Sequence, residues 1–193
     1  MIALSDQYTV VLDTCVLVPM PLCDTLPRLA EEPAVYVPKW SDDILRELRS
    51  TLMKMGYAPA QAERRIAAMN AAFEDAKVTG YEDLVPALAN DPKDRHVLAA
   101  AVRCGAHAIV TANVKHFPPE STAPYDVGVL TPDEFLVRQF YRDQDRVIER
   151  IQDQARTRRI PTEELLAVLA KRVPGLAGRV RDALRSAGLD AGG

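Results

Sequence analysis

Cysteine is scarce in this chain of 193 residues, with only Cys15, Cys23 and Cys104. An odd number, with no CxxC pair and no Cys/His zinc spacing, excludes a disulfide framework and a structural zinc and fits a reduced, cytoplasmic setting. Long apolar runs are missing as well. The stretch MIALSDQYTVVLDTCVLVPMPL has no basic segment ahead of it, carries Asp6 and Asp13, and offers no uncharged run of about 18 residues, so neither an export signal nor a membrane span is expected. Aromatics make up 6% of the residues, yet 48% are hydrophobic and 26% charged, a globular balance at odds with disorder and collagen-like repeats. Nor does one sign of charge dominate. Lys and Arg number 24 against 27 Asp and Glu, a net −3, so any site for a polyanion has to be local.

The charge is unevenly spread. Residues 1–137 hold 12 basic and 19 acidic side chains, whereas residues 138–193 hold 12 and 8. An acidic body points to a need for carboxylates, such as a divalent metal, and a basic tail points to an anionic or acidic partner surface or a solvated helix face. Length and pattern predict a main domain over residues 1–140 and a helical extension over residues 141–193.

Tyr8 to Leu12 reads as a buried strand that stops at Asp13. A helix over Leu22 to Glu31, a strand over Ala34 to Pro38, and a helix capped by Ser41 and running to about Met55 follow, then a helix from Ala60 to Ala76. Asp91 and Pro92 read as N-cap and first position of an Ala-rich helix ending near Gly105. His107 to Val110 and Val127 to Leu130 read as strands, and a helix begins near Asp133. Alternating strands and helices predict an α/β fold in three layers, with a central, mostly parallel β-sheet flanked by helices. Beyond Gln139 only helical segments remain, over Asp143 to Thr157, from Pro161 until Pro174-Gly175 breaks the helix, and a final helix after that break to about Ala187, with residues 190–193 fraying.

Some acids sit where structure alone does not ask for them. Asp13 ends an apolar strand, and the carboxyl ends of parallel strands are where α/β proteins bind ligands. Asp94 shares a helix face with Val97, Leu98 and Ala101, the face that packs on a sheet. Glu47 flanks the stripe Ile44, Leu45, Leu48, Leu52 and Met55, and its helical neighbours Asp43, Ile44, Ser50 and Thr51 include no base. Converging carboxylates with no basic neighbour repel one another and recruit a cation. Oxygen-only ligands favour Mg²⁺ or Mn²⁺, the ions of phosphate-ester hydrolysis.

Asp13 in VVLDTCVLV, Glu47 in SDDILRELRSTL, Asp91 and Asp94 in NDPKDRHVLAAAV, and the segment IVTANVKHFP together resemble the PIN domain of metal-dependent ribonucleases, closest to the VapC-type toxins of bacterial toxin–antitoxin pairs. The resemblance covers residues 8 to 140. It implies that Asp13, Glu47 and Asp94 ligate Mg²⁺ or Mn²⁺, with Asp91 as an outer acid, in an endoribonuclease that forms a homodimer and is inhibited by a cognate antitoxin protein. PIN domains commonly place a fourth acid in the segment corresponding to TANVKHF. This chain has Asn113 and His116 there, so Asn113 joins the catalytic set without bringing a charge, while Thr111 and His116 are expected to contact the RNA.

Blander readings accompany the rest. His96, His107 and His116 lack the HxxxH spacing of a metal site, Cys15 reads as a small buried residue, and Trp40 as core rather than a base-stacking platform. The arginines of the tail alternate with Asp143, Asp145, Glu149 and Asp153, which suits local pairing and a scaffold or partner-binding role. A phosphatase with an aspartate nucleophile needs an acid two residues after Asp13, and Cys15 stands there. The remaining alternative is a PIN-like module that binds nucleic acid or protein with weak or no catalysis.

Overall fold

The computed structural model describes residues 8–188. In chain order its main elements are β1 (Thr9–Leu12), α1 (Thr14–Leu17), α2 (Leu22–Ala30), β2 (Val37–Ser41), α3 (Asp42–Lys54), α4 (Pro59–Ala72), β3 (Lys77–Val78), α5 (Arg95–Arg103), β4 (Ala108–Val110), α6 (Pro119–Thr122), β5 (Gly128–Leu130), α7 (Pro132–Arg142), α8 (Gln144–Arg158), α9 (Thr162–Leu169) and α10 (Pro174–Ser186). They fall into two compact units. Among the described residues, one joins residues 8–18 with Tyr36–Thr131, and the other joins Pro19–Val35 with residues 132–188.

The first unit is built on a five-stranded sheet in the order β3-β2-β1-β4-β5, in which every pairing is parallel. Val10, Val11 and Leu12 of β1 and Ala108, Ile109 and Val110 of β4 are fully buried, as the continuous apolar runs of central parallel strands require. From β1 the chain adds β2 and β3 on one side, then crosses to β4 and β5 on the other. The gap between the ends of β1 and β4 is therefore the topological switch point, where parallel sheets leave a crevice for ligands. The apolar stripe Ile44, Leu45, Leu48 and Leu52 of α3 is buried, and Ser41 accepts from the amide of Ile44 at 3.3 Å as the expected N-cap. Trp40 is core, fully buried, with Nε1 donating to Asn70 at 3.0 Å and the edge of Phe73 against its ring. Gly105, at φ +61°, supplies the left-handed turn that ends α5 and feeds β4.

Several boundaries move. The second strand lies at Val37–Ser41 rather than Ala34 to Pro38, and the short α1 and β3 were not foreseen. The helix after Pro92 begins only at Arg95: residues 92–94 form a separate turn closed by the Asp94 amide on the Asp91 carbonyl at 2.9 Å, and Asp94, at φ −108° and ψ 8°, departs from helical geometry. Asp91 closes that turn through the Lys93 amide, at 3.0 Å, and does not cap the helix.

The second unit is helical. Leu26 and Leu29 of α2, Val147 and Ile151 of α8, Leu165, Leu166 and Leu169 of α9, and Leu176 and Val180 of α10 are buried in it. Gln154 of α8, fully buried, donates to the Pro21 carbonyl at 3.1 Å and accepts from the Thr25 hydroxyl at 2.8 Å, and Arg150 donates to the carbonyls of Glu31 and Glu32 at 3.3 and 3.0 Å. These bonds tie residues 19–35 to the late helices, a long-range grouping the linear pattern did not announce. The border expected at residue 140 falls inside α7, which packs on α10. Arg146 and Arg156 do pair locally, with Asp143 and Asp153. Residues 190–193, expected to fray, lie outside the described residues, and among those described no helix is long and apolar enough to cross a membrane.

The N-terminus of α10 is capped from a distance. Asp133, near the start of α7, accepts from the amides of Gly175 at 2.9 Å and Leu176 at 3.0 Å, supplying the anion that a helix start favours. A Cβ at position 175 would come within 2.7 Å of Asp133 Oδ2, so a side chain there would push the capping carboxylate away. Asp133→Ala is expected to lower stability by about 1 kcal/mol in urea unfolding. Gly175→Ala should cost a similar amount in the wild type and much less beside Asp133→Ala, because both remove the same cap; strictly additive losses would refute the shared cause.

Candidate active site

Asp13 follows the last residue of β1, and its amide continues the ladder by donating to the Val110 carbonyl of β4 at 3.1 Å. The carboxylate is 3% exposed and stands at the switch point. Burying it there requires donors. Thr111, the first residue past β4, supplies its hydroxyl to Oδ2 at 2.6 Å, and the Cys15 thiol supplies another at 3.0 Å. Thr111 is itself fully buried and accepts from the Asn113 amide at 2.9 Å, so its hydroxyl bears on Asp13 and on the loop, not on the open surface where an RNA contact was expected. Burial and the Asp13 charge push the Cys15 thiol up to about 12, which keeps it protonated and a donor at neutral pH.

Glu47 reaches the same region from the second turn of α3. Its Oε2 accepts from Thr14 at 3.1 Å and its Oε1 meets His96 Nε2 at 3.0 Å. Burial opposes its charge, but the bonds from His96 and Thr14 hold Glu47 below the ordinary carboxylate range. Burial likewise opposes charge on His96, and Glu47, Asp43 and Asp13 outweigh it to raise the imidazole.

Asp94 sits just ahead of α5, where the turn from Asp91 exposes it to the loop after β4. That loop is fastened to the turn by the Asp91 amide donating to the His116 carbonyl at 3.1 Å, and His116 Nδ1 lies 2.5 Å from Asp94 Oδ2. Burial raises Asp94, the charges of Asp13 and Asp91 add to the rise, and the His116 bond works against it. Asn113 starts a single 3₁₀ turn, Val114–His116, which swings His116 into place.

The fold thus gathers Asp13, Glu47, Asp94, Thr111, Asn113 and His116 at one end of the sheet, with Asp13 acting electrostatically on both Asp94 and His96. Each acid is held by its own partners, and among the described residues no three His, Cys, Asp or Glu side chains close around a common point as a formed metal cage would. Thr14, Cys15 and His96 were missed. Thr14 and Cys15 were signalled only by their adjacency to Asp13, and His96 by nothing, since its partner lies 49 residues away. His107 is structural, accepting from the Thr9 amide at 3.0 Å and stacking on Tyr8. Asn90 is 2% exposed, with both amide atoms unpartnered among the described residues.

Residues 9–115 match the model of the PIN domain, and residues 132–182 match that of a VapC50 C-terminal domain. A protein of Mycobacterium tuberculosis named "Putative ribonuclease VapC50" is 43% identical over 105 residues, 53% of this chain and 62% of that relative. The chain thus aligns with somewhat less than two thirds of that protein's length. No solved structure matches.

Thr111→Val removes the shortest bond to the buried Asp13 carboxylate and the acceptor of the Asn113 amide. It is expected to lower stability by about 1–3 kcal/mol in urea unfolding at neutral pH, with Thr111→Ser losing less. An unchanged midpoint for the valine variant would rule out that bond as a source of stability.

Proposed function

Since the chain belongs to the PIN-domain family, we propose that it is an endoribonuclease of the VapC type, hydrolysing RNA phosphodiester bonds with Mg²⁺ or Mn²⁺ as the toxin of a toxin–antitoxin pair. The observation that carries the reading is a buried carboxylate, Asp13, at the switch point of a parallel sheet, electrostatically coupled to Asp94 and to the His96 that holds Glu47. The relative's name and the match to a VapC50 C-terminal domain support the VapC assignment. An antitoxin protein and a second copy of the chain are the partners that this reading brings with it.

The donor chemistry fits a hard divalent cation. Asp13, Glu47 and Asp94 offer only carboxylate oxygens, none is paired with Lys or Arg among the described residues, and Asp13 Oδ1 carries no hydrogen bond there. When bound, the ion supplies Lewis acidity toward the scissile phosphate and lowers the pKa of water. The protein's own groups do the positioning. Thr111 and Cys15 fix Asp13, Thr14 orients Glu47, and His116 and His96 hold the other two acids with single, exchangeable bonds. Asn113, lacking charge, brings only a neutral amide to the loop after β4. Thr111 acts through Asp13 and the loop.

Purified protein is expected to cut RNA in Mg²⁺ or Mn²⁺, to stop in EDTA, and to lose about 100-fold or more of its rate in Asp13→Asn and Asp94→Asn variants that still melt cooperatively. Cleavage undiminished by EDTA would sink the metal reading. A folded protein that binds RNA but cuts none across varied substrates would favour the binding module, with the neutral Asn113 as its cause.

A further inference from the structure

Cys15 was the least conspicuous residue of the Asp13 segment, yet its sulfur occupies a junction. It lies in the first turn of α1, two residues beyond Asp13, and donates to Asp13 Oδ2 at 3.0 Å. The same sulfur accepts from the amide of Ala112 at 3.1 Å and lies 3.3 Å from the Thr111 hydroxyl. One side chain therefore ties the end of β1 to the loop that follows β4, across the switch point, and does so beside a carboxylate that is 3% exposed.

The geometry bears on how Asp13 presents itself. Thiol and Thr111 hydroxyl converge on one oxygen, Oδ2, and rotating the carboxylate would break both bonds. Oδ1 is left unbonded among the described residues, so the pair of donors selects which oxygen stays free for a further ligand. Thr111 alone would leave the group free to turn about a single bond, whereas two donors from different segments fix its plane. The Ala112 bond adds a second consequence: with the sulfur in place, residues 111–113 are held against α1, which sets the position of Asn113. Cys23 donates to the Met20 sulfur and Cys104 to a carbonyl of its own helix.

We propose that Cys15 is a positioning residue of the active site, its thiol holding Asp13 Oδ2 so that Oδ1 is presented to the divalent cation and its sulfur anchoring the Thr111–Asn113 loop. The proposal rests on Asp13 being a metal ligand. It asks no covalent chemistry of the thiol, only a donor and an acceptor at one atom. Serine can supply both, valine fills the space and supplies neither, and alanine supplies neither and leaves a gap.

The test is calorimetric titration of Mn²⁺ into the full chain as wild type, Cys15→Ser, Cys15→Ala and Cys15→Val, each first shown to unfold cooperatively, with Asp13→Asn as the reference for loss of the ligand. Cys15→Ala and Cys15→Val are expected to bind about 10–100-fold more weakly, the usual effect of losing a partner that orients a metal ligand, and Cys15→Ser within a few-fold of wild type. If Cys15→Ala does not fold, the valine variant carries the comparison. Wild-type affinity in the folded alanine or valine variant overturns the proposal while leaving the metal reading intact, as does a serine variant as weak as valine. A wild type that binds no Mn²⁺, or an Asp13→Asn that binds as well as wild type, overturns it together with the assignment of Asp13 as a ligand.

Discussion

A carboxylate that is 3% exposed at the end of a central strand is expensive to keep charged, and the architecture of the first unit is arranged around that cost. Asp13 escapes it by taking a hydroxyl from Thr111 and a thiol from Cys15 on one oxygen. The Thr111 bond depends on the parallel register of β1 and β4, in which Leu12 lies opposite Val110, so that Asp13 and Thr111 leave the sheet together, whereas Cys15 is local to Asp13. A slip of one residue would turn the Asp13 and Thr111 side chains to opposite faces and cost the carboxylate its shortest bond. The register of two short strands and the burial of one acid are therefore mutually dependent.

The remaining acids arrive by separate routes that the same topology makes convergent. In a parallel sheet all strands end at one edge, and the helices that leave that edge begin beside it. Ser41 passes straight into α3 and brings Glu47 forward one turn later, while the turn from Asp91 to Asp94 stops α5 from starting early and leaves the Asp94 carboxylate facing the loop after β4. Had the helix begun at Pro92, as the sequence pattern suggested, Asp94 would lie within its first turn. The departure from regular helix is thus what frees the side chain to meet His116.

What was legible in the sequence is what depends on local pattern. Unbroken apolar runs marked β1, β4 and β5, the Ser41 cap and the 3.6-residue stripe marked α3, and an acid after an apolar strand marked Asp13. Strands too short to show a pattern escaped, as β3 did with two residues, and β2 slid because Pro38 and Lys39 interrupt its apolar character. His96 could not be assigned because its role arises only in three dimensions: it and Glu47 are far apart in the chain, and neither carries a spacing signature, while His116, expected at the RNA, is found at Asp94. The same holds for residues 19–35, whose attachment to α8 rests on Gln154 and Arg150 meeting backbone carbonyls more than a hundred residues away.

The choice of histidine as the partner of both outer acids has its own logic. A guanidinium would meet Glu47 or Asp94 with two parallel bonds and a permanent charge, a pairing strong and specific enough to hold the carboxylate as structure. An imidazole offers one ring nitrogen at a time and carries a charge that depends on its surroundings. His96 and His116 therefore keep Glu47 and Asp94 oriented, at 3.0 and 2.5 Å, while leaving each acid an oxygen that the histidine does not touch. In Glu47 that oxygen is taken up by the weaker donor Thr14. Asp13, the most buried of the three acids, has the opposite arrangement, with two neutral donors on one oxygen and no imidazole. The site thus combines one carboxylate fixed by two donors with two held by single bonds to imidazoles, and under the proposed metal reading the first would define the position of the cation while the others adjust to it.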